Sequence, residues 1–470
     1  MAAKRARIGR IVRRRALRSA RRKPGNGMPR RRKTVRRREV FQSPAYSDGF
    51  GDGYREGVQS GILSFPTLFE GTSIVIPTYN QEGLLKACID SIMENTGLPY
   101  EIIVVDNAST DGTAKYLLEL GGQVRYRVLE SNRGFAGAVN VGMMMAKGRT
   151  ILLLNNDTLV AGNWLDNLLA CLNSDESIGM VGPMSNYISG DQKIDVPYTD
   201  IADMPKFARE FNRSDPARWL RTDRLTGFCL LFRRELFESV GYFDEGYEIG
   251  NFEDDDYNIR VRLTGKSLVM AQDTFVHHFG SVSMKTLGDR FQEVNDRNQN
   301  YFMEKWRNPY EWIHQARLHS GQSASGPNSS SFYPERVVVQ GVGPNHFWIE
   351  NGERRLIEGT LTFPPTKVSQ IDMKRWPAGA PIGAEEVERK WRGLDADLLL
   401  NPDEENGVVR LDDGTPYVLE NGKARPVVSN AAMQAWNLHL KPSRTIGEDQ
   451  LADKERGLPV IGPPCLKQVL

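Results

Sequence analysis

ILLLNNDTLV, residues 151–160, sets four large apolar side chains directly before Asn155, Asn156 and Asp157 and then turns apolar again. So short an apolar run reads as a buried strand, and the polar residues read as its tip. The same texture recurs on the N-terminal side. TSIVIPTYN (72–80), YEIIVVDNAST (100–110) and VRYRVLE (124–130) read as strands. Between them lie the helical periodicities of EGLLKACIDSIMENT (82–96), GTAKYLLEL (112–120) and GFAGAVNVGMMMAKG (134–148). Strands alternating with helices indicate βαβ units and a parallel sheet, whose ligands sit beyond the carboxyl ends of the strands. Thr78-Tyr79-Asn80, Asp106-Asn107, Asn132-Arg133 and Asn155-Asn156-Asp157 all fall at that edge, a convergence that packing alone does not require.

The 470 residues suffice for two to four folding units, and the formal charge of +2 hides an asymmetry. Residues 1–40 carry 18 Lys and Arg against Glu39, a net of +17, which leaves −15 for the rest. Charges this dense repel and bury nothing, so residues 1–42 read as a disordered basic arm able to contact an acidic surface. Residues 43–71 are Gly-rich and read as a linker or docking segment, and HSGQSASGPNSSS makes 316–332 a second linker. Beyond it NHFWIENGERRLIEG (345–359) matches TPYVLENGKARPVVS (415–429), and WPAGAPIG (376–383) echoes ERGLPVIG (455–462). Asn-Gly between alternating strands signals a tight hairpin, so 333–400 and 401–470 read as two copies of a small β-rich module.

Four widely spaced cysteines without a CxxC pair suggest free thiols in a reducing compartment. No apolar run approaches the roughly 18 residues that span a bilayer, and the start lacks the apolar core of a secretory signal. The expectation is a soluble, cytoplasmic protein, peripheral to a membrane or associated with a viral particle if the arm docks there. Its oligomeric state is not legible.

Carboxylates gather at two places, Asp157 and the run EDDD (Glu253 to Asp256). Hard oxygen ligands suit Mg2+ or Mn2+, which bind one or two carboxylates together with substrate phosphates. His277 and His278 close another apolar run in FVHHFGS and add a candidate imidazole ligand. Against this stands a plain alternative for EDDD, since acids favour a helix N-terminus. SNRGFAGAVNVG (131–142) lacks GxGxxG spacing directly after the first strand, which argues against NAD.

SIVIPTYN, EIIVVDNASTDGT, NRGFAGAVNVG, LLLNNDT, LTGFCLLFRRELFESVGYFDE, FEDDDYNIRVRLTGK and VHHFGS, in that order over residues 72–305, resemble the family 2 glycosyltransferases of GT-A fold, in their rhamnosyltransferase-like branch. The resemblance implies an α/β, Rossmann-like nucleotide-sugar-binding domain with a mostly parallel sheet over 72–315. The basic arm and the C-terminal β-rich repeats lie outside it. It implies a nucleotide pocket lined by Pro77, Thr78 and Tyr79, with Asp106 accepting from the base. Asn132, Arg133 and Gly134 would lie along the nucleotide and diphosphate, followed by Asn140. Asn155-Asn156-Asp157 stands where relatives carry Asp-x-Asp, so Asp157 would bind Mn2+ or Mg2+ while Asn155 and Asn156 contact sugar or ribose. Thr226 and Gly227 would shape the donor sugar's acceptor side. Glu253-Asp254 matches the acidic pair, with Asp254 as base, and Asp256 with Arg260 the acid and arginine that follow it. His278, ahead of His277, would join the metal.

The implied reaction is inverting transfer from a UDP- or dTDP-sugar to a hydroxyl of a glycan, lipid-linked or protein acceptor, possible on a bacterial or bacteriophage product. Glycosyl transfer needs charge neutralised on the leaving diphosphate and a hydroxyl deprotonated opposite it. Two other classes remain open on sequence grounds. One is an adhesive glycan- or protein-binding protein with an inactive transferase domain. The other is a nucleic-acid binder, which the arm supports weakly because no aromatic residue precedes Phe41.

Overall fold

The computed structural model describes residues 67–280, 288, 290–319, 326–393 and 406–467. The basic arm and most of the 43–71 segment therefore lie outside the described residues. Leu68 to Leu470 form one unit by contact.

The expected alternation is present as β1 (Phe69–Thr78), α1 (Glu82–Asn95), β2 (Tyr100–Asp106), α2 (Thr113–Glu119), β3 (Arg125–Val128), α3 (Gly134–Met145) and β4 (Gly148–Leu154). There follow β5 (Thr158–Leu159), α4 (Trp164–Asn173), β6 (Ile178–Met184), α5 (Met204–Phe211), β7 (Trp219–Thr222), β8 (Cys229–Arg233) and α6 (Arg234–Val240). The sequence continues with α7 (Glu253–Leu263), β9 (Ser267–Phe275), β10 (His277–His278), α8 (Arg290–Trp306) and α9 (Pro309–His319). The large sheet has the order β3-β2-β1-β4-β8-β6-β9-β7. β1 runs parallel to β2 and β4, and β2 to β3, whereas β8 and β7 run against their neighbours.

Both faces of this sheet are covered, which is why its strands read as continuous apolar runs rather than alternating ones. Ile74 and Ile76 of β1 pack with Leu85, Ile89 and Trp164 on one face. Val75, between them, packs with Val139, Met143 and Tyr257 on the other, as the period of two demands. α3 lies so close to β1 that a Cβ on Gly142 would collide with Val75 Cγ1.

Two smaller sheets follow. The first joins β11 (Val337–Gln340), β12 (His346–Glu350), β13 (Glu353–Glu358), β14 (Thr366–Lys367) and β15 (Ala378–Gly383) in the order β14-β11-β12-β13-β15, with α10 (Gln370–Arg375) and α11 (Ala384–Trp391). The second joins β16 (Gly407–Arg410), β17 (Pro416–Glu420), β18 (Lys423–Pro426), β19 (Ser443–Thr445) and β20 (Glu455–Arg456) in the order β19-β16-β17-β18-β20, with α12 (Asn430–Ala435) and α13 (Glu448–Ala452). The turns Asn351-Gly352 (φ 55° and 71°) and Asn421-Gly422 (φ 54° and 73°) both take the left-handed geometry of a two-residue hairpin.

Helix α9 runs across the 315/316 position, and Ser329–Phe332 forms a 3-10 turn capped by Asn328. Phe332, Trp306, Trp348, Trp376 and Trp436 share one apolar cluster, so the turn is anchored in a core rather than extended as a linker. That cluster also contains Ile259 and Leu263, which ties the small sheets to α7.

Candidate active site

The strand tips converge through short polar bonds. Thr78 and Asp106 are register partners at the ends of β1 and β2, one residue beyond the Pro77 and Val105 pair. Asn156 Nδ2 donates to Thr78 Oγ1 at 2.8 Å, tying the β4 tip to the β1 tip. Asn107 accepts from the Arg133 N–H and donates to Asn132 Oδ1 and the Gly134 carbonyl. Asn132 in turn accepts from the Gly134 N–H, so the two amides shape the turn into α3. Gly134 sits at φ 71°, with Ile249 backbone 3.2 Å from where its Cβ would be. Asp106 is fully buried, and its Oδ1 accepts from the Ser109 N–H at 2.9 Å while Oδ2 has no hydrogen-bond partner among the described residues. A buried acceptor without a partner is costly, which marks Oδ2 as a place for a donor from a ligand. Tyr79, next to Thr78, lies exposed, and Asn155, next to Asn156, is half-buried.

Asp157 meets His278 because β5 and β10 pair antiparallel, with Thr158 opposite His278. His278 Nε2 stands 3.0 Å from Asp157 Oδ1, Nδ1 is 2.6 Å from the Tyr187 carbonyl, and the ring stacks on Phe228. Only a protonated Nδ1 can face a carbonyl at that distance, so Nδ1 is a donor. Nε2 then opposes a carboxylate oxygen and needs a cation between them, either a proton or a metal ion. The backbone bond at Nδ1 is also the usual support of a metal-bound histidine. This donor set fits a hard divalent ion that draws its remaining ligands from phosphate and water. Among the described residues no group of three or more His, Cys, Asp or Glu side chains forms a fuller cage.

The acidic run opens α7, entered through left-handed Ile249, Asn251 and Phe252 (φ 60°, 82° and 73°). A bulky residue in that region stores strain, which concentrates at functional sites. Asp254 accepts from the Gly227 N–H at 2.8 Å and the Asp255 N–H at 2.9 Å and lines a cavity of about 860 Å³. Burial and the neighbouring Asp255 charge push its carboxyl up to about 6, with Arg224 pulling the other way. Glu253 is held well above the usual carboxylate range by burial and by Asp254, and its Oε2 has no hydrogen-bond partner among the described residues.

Four expected site residues lie elsewhere. His277 is on the opposite side of its strand, with Nδ1 2.7 Å from the Tyr198 hydroxyl, because adjacent strand residues point to opposite faces. It therefore leaves the metal set. Asp256 and Arg260 pair at 2.8 Å within the protein, 0% and 3% exposed. Lys305, Trp306 and the Tyr247 hydroxyl also bond Asp256, and the carbonyls of Val240 and Tyr242 accept from Arg260, whose Nη2 has no hydrogen-bond partner among the described residues. Both are corrected from nucleotide contacts to members of a buried ion cluster that fixes α7 on α8. Asn140 is likewise buried and spends its amide on Phe243 and Glu245.

Sequence reading missed Arg224, which pairs with Asp255 at 2.5 Å, and Tyr187 and Phe228, which seat His278. None of the three carries a local signal. Their roles arise from chain segments brought together by the sheet.

Residues 73–241 match the description of glycosyl transferase family 2. Over this segment the chain is similar to that family. Among curated relatives, the O-antigen biosynthesis protein RfbC of Myxococcus xanthus is 30% identical over 222 residues, 44% of this chain and 17% of that protein. Glycosyltransferase GlyG of Streptococcus pneumoniae serotype 4 is 27% identical over 210 residues, 43% of this chain and 68% of that protein. The chain thus spans about a sixth of RfbC and two thirds of GlyG. A mannosyltransferase from Pyrobaculum calidifontis, solved with GDP-Man and Mn2+, aligns with TM-score 0.34 and 23% identity over 45% of this chain and 57% of that one. The matched segment lies within an α/β unit built on a large, mostly parallel sheet, with additional β-rich sheets at the C-terminal end. Among the described residues no helix of the chain is long and apolar enough to cross a membrane.

Proposed function

We propose that the chain is an inverting, metal-assisted glycosyltransferase that moves a hexosyl or rhamnosyl group from a nucleoside-diphosphate donor to an acceptor hydroxyl. The observation that carries this is the meeting of Asp157 Oδ1 and His278 Nε2 at 3.0 Å, beside the β4 tip that Asn156 ties to Thr78. Asp106 Oδ2 would accept a donor N–H from the nucleotide base. Mg2+ or Mn2+ held by Asp157 and His278 would supply positive charge to the diphosphate.

Asp254 faces the cavity with both carboxylate oxygens already held by backbone N–H groups, so its orientation is set before substrate arrives. A carboxylate near 6 is mostly ionised at neutral pH yet basic enough to take a proton. The acceptor oxygen attacks the anomeric carbon, the bond to the diphosphate breaks with its electron pair leaving on the nucleotide, and the hydroxyl proton passes to Asp254. One displacement inverts the centre. Burial and the Asp254 charge raise Glu253 well above the usual carboxylate range, so its ionised form is disfavoured.

A panel of nucleotide sugars incubated with the full chain, with Mn2+ or Mg2+ and with chelator, tests this. Donor turnover that stops on chelation is expected. Turnover with no donor and either metal would remove the enzyme reading.

A further inference from the structure

A second cavity, of about 440 Å³, lies between the two C-terminal sheets. Its walls include Arg336, Trp391 and Arg392 from the first module and Lys441, Ser443 and Arg444 from the second. Strands β14 and β19 hold the same place in their sheets, each parallel to the first strand of its hairpin. Aligning FPPTKV (363–368) with KPSRTI (441–446) puts Lys441 where the first module has Phe363. Both residues pack on Trp391. The Phe363 ring stacks at 4.2 Å between centroids, and Lys441 Nζ lies 4.4 Å from the ring centre.

An apolar residue would fill the Lys441 position without desolvating a charge, so packing alone does not explain the lysine. One N–H of its ammonium donates to the Arg336 carbonyl at 2.7 Å, and no carboxylate among the described residues lies within ion-pair distance. The acids of the wall are committed elsewhere. Glu335 accepts from the Asn351 and Gly352 N–H groups, and Glu420 holds Arg425 and the Glu335 N–H. Burial depresses Lys441 to about 7, with the Glu420 charge pulling it up and Arg336 pushing it down. Arg336 and Arg392 reach carboxylates only at 3.8 and 3.6 Å.

We propose that this inter-module cavity is an oxyanion-binding site in which Lys441, with the Arg336 side of the wall, receives the carboxylate or phosphate of an acidic sugar. The volume suits a ligand of about monosaccharide size. The site shares no residue with the transferase cavity, so it stands whether or not the proposed transfer reaction does.

Calorimetric titration of the full chain with glucuronate, glucose 1-phosphate and neutral glucose tests it. At least one acidic sugar should bind at one site while glucose does not, and the arm that binds assigns carboxylate or phosphate. Lys441→Met should weaken that binding on the order of tenfold or more, the effect of losing a charge-assisted hydrogen bond. Ser443→Asp, at an exposed β19 position on the cavity, brings a competing carboxylate and should weaken it comparably without touching the core. Ser443→Asp decides the matter should Lys441→Met fail to fold. Wild-type protein that binds neither acid, or a folded variant that keeps wild-type affinity, overturns the site.

Discussion

Replacing Lys305 by methionine keeps most of the side-chain volume and removes the ammonium shared by Asp244 at 2.5 Å and Asp256 at 2.6 Å. Lys305, Asp244, Asp256 and Arg260 are 5%, 0%, 0% and 3% exposed, so water cannot screen what is left. Two carboxylates face two cations in the native cluster, and methionine leaves one negative charge in excess. Removing one partner of a buried pair costs about 3–5 kcal/mol. Arg260 still holds Asp256, so the lower figure of about 3 kcal/mol applies, and at about 2 °C per kcal/mol for a large unit Tm should fall by about 6 °C.

The pH dependence gives the sharper test. In the native cluster burial pushes Asp256 up, but Lys305 and Arg260 outweigh it and hold the carboxyl below its ordinary value. Its stabilisation is therefore present above the unfolded value of about 3.9 and lost only in stronger acid. Without Lys305 only Arg260 opposes burial, so the carboxyl rises relative to wild type and the variant loses stability relative to wild type as pH rises. The Tm deficit of Lys305→Met should thus be larger at pH 8 than at pH 5, measured by near-UV circular dichroism. A Tm within about 1 °C of wild type at both pH values, or a deficit that shrinks as pH rises, would refute the reasoning.

At the proposed base, Asp254→Asn should fold and bind donor but lose about 10²–10⁴-fold in transfer rate. The wild-type rate should rise with pH through about 6 and then level, since the active form is the ionised one, and the variant should lack that limb. A Glu253→Gln enzyme with the same losses would move the role to its neighbour. At the proposed metal site, His278→Ala should raise the Mn2+ needed for half-maximal turnover by about 10–100-fold. His277→Phe should leave it unchanged, and equal effects would return His277 to the ligand set. Gly134→Ala should lower stability by about 1–2 kcal/mol, because a side chain at φ 71° is strained and its Cβ meets Ile249. An unchanged Tm would show that the turn can relax.

The alternation of apolar runs with helical periods from residue 72 onward is a local property, and it was enough to establish a covered, mostly parallel sheet and the rim where its strands end. Asp157 and Asp106 were legible for the same reason, since a carboxylate directly after a buried strand has few places to be. The two Asn-Gly turns were equally plain, because that dipeptide tolerates left-handed backbone. Partnership was not local. His278 and Asp157 are 121 residues apart, and only the β5 and β10 pairing decided which of two adjacent histidines faces the carboxylate. Asp256 and Arg260 looked like site residues in a motif, yet α8 delivers Lys305 and Trp306 against Asp256, and both residues are buried. Sequence pattern determines which face of an element is apolar. Which distant charge comes to rest beside a buried carboxylate depends on how the elements pack, and the energy of that contact exists only once water has been excluded.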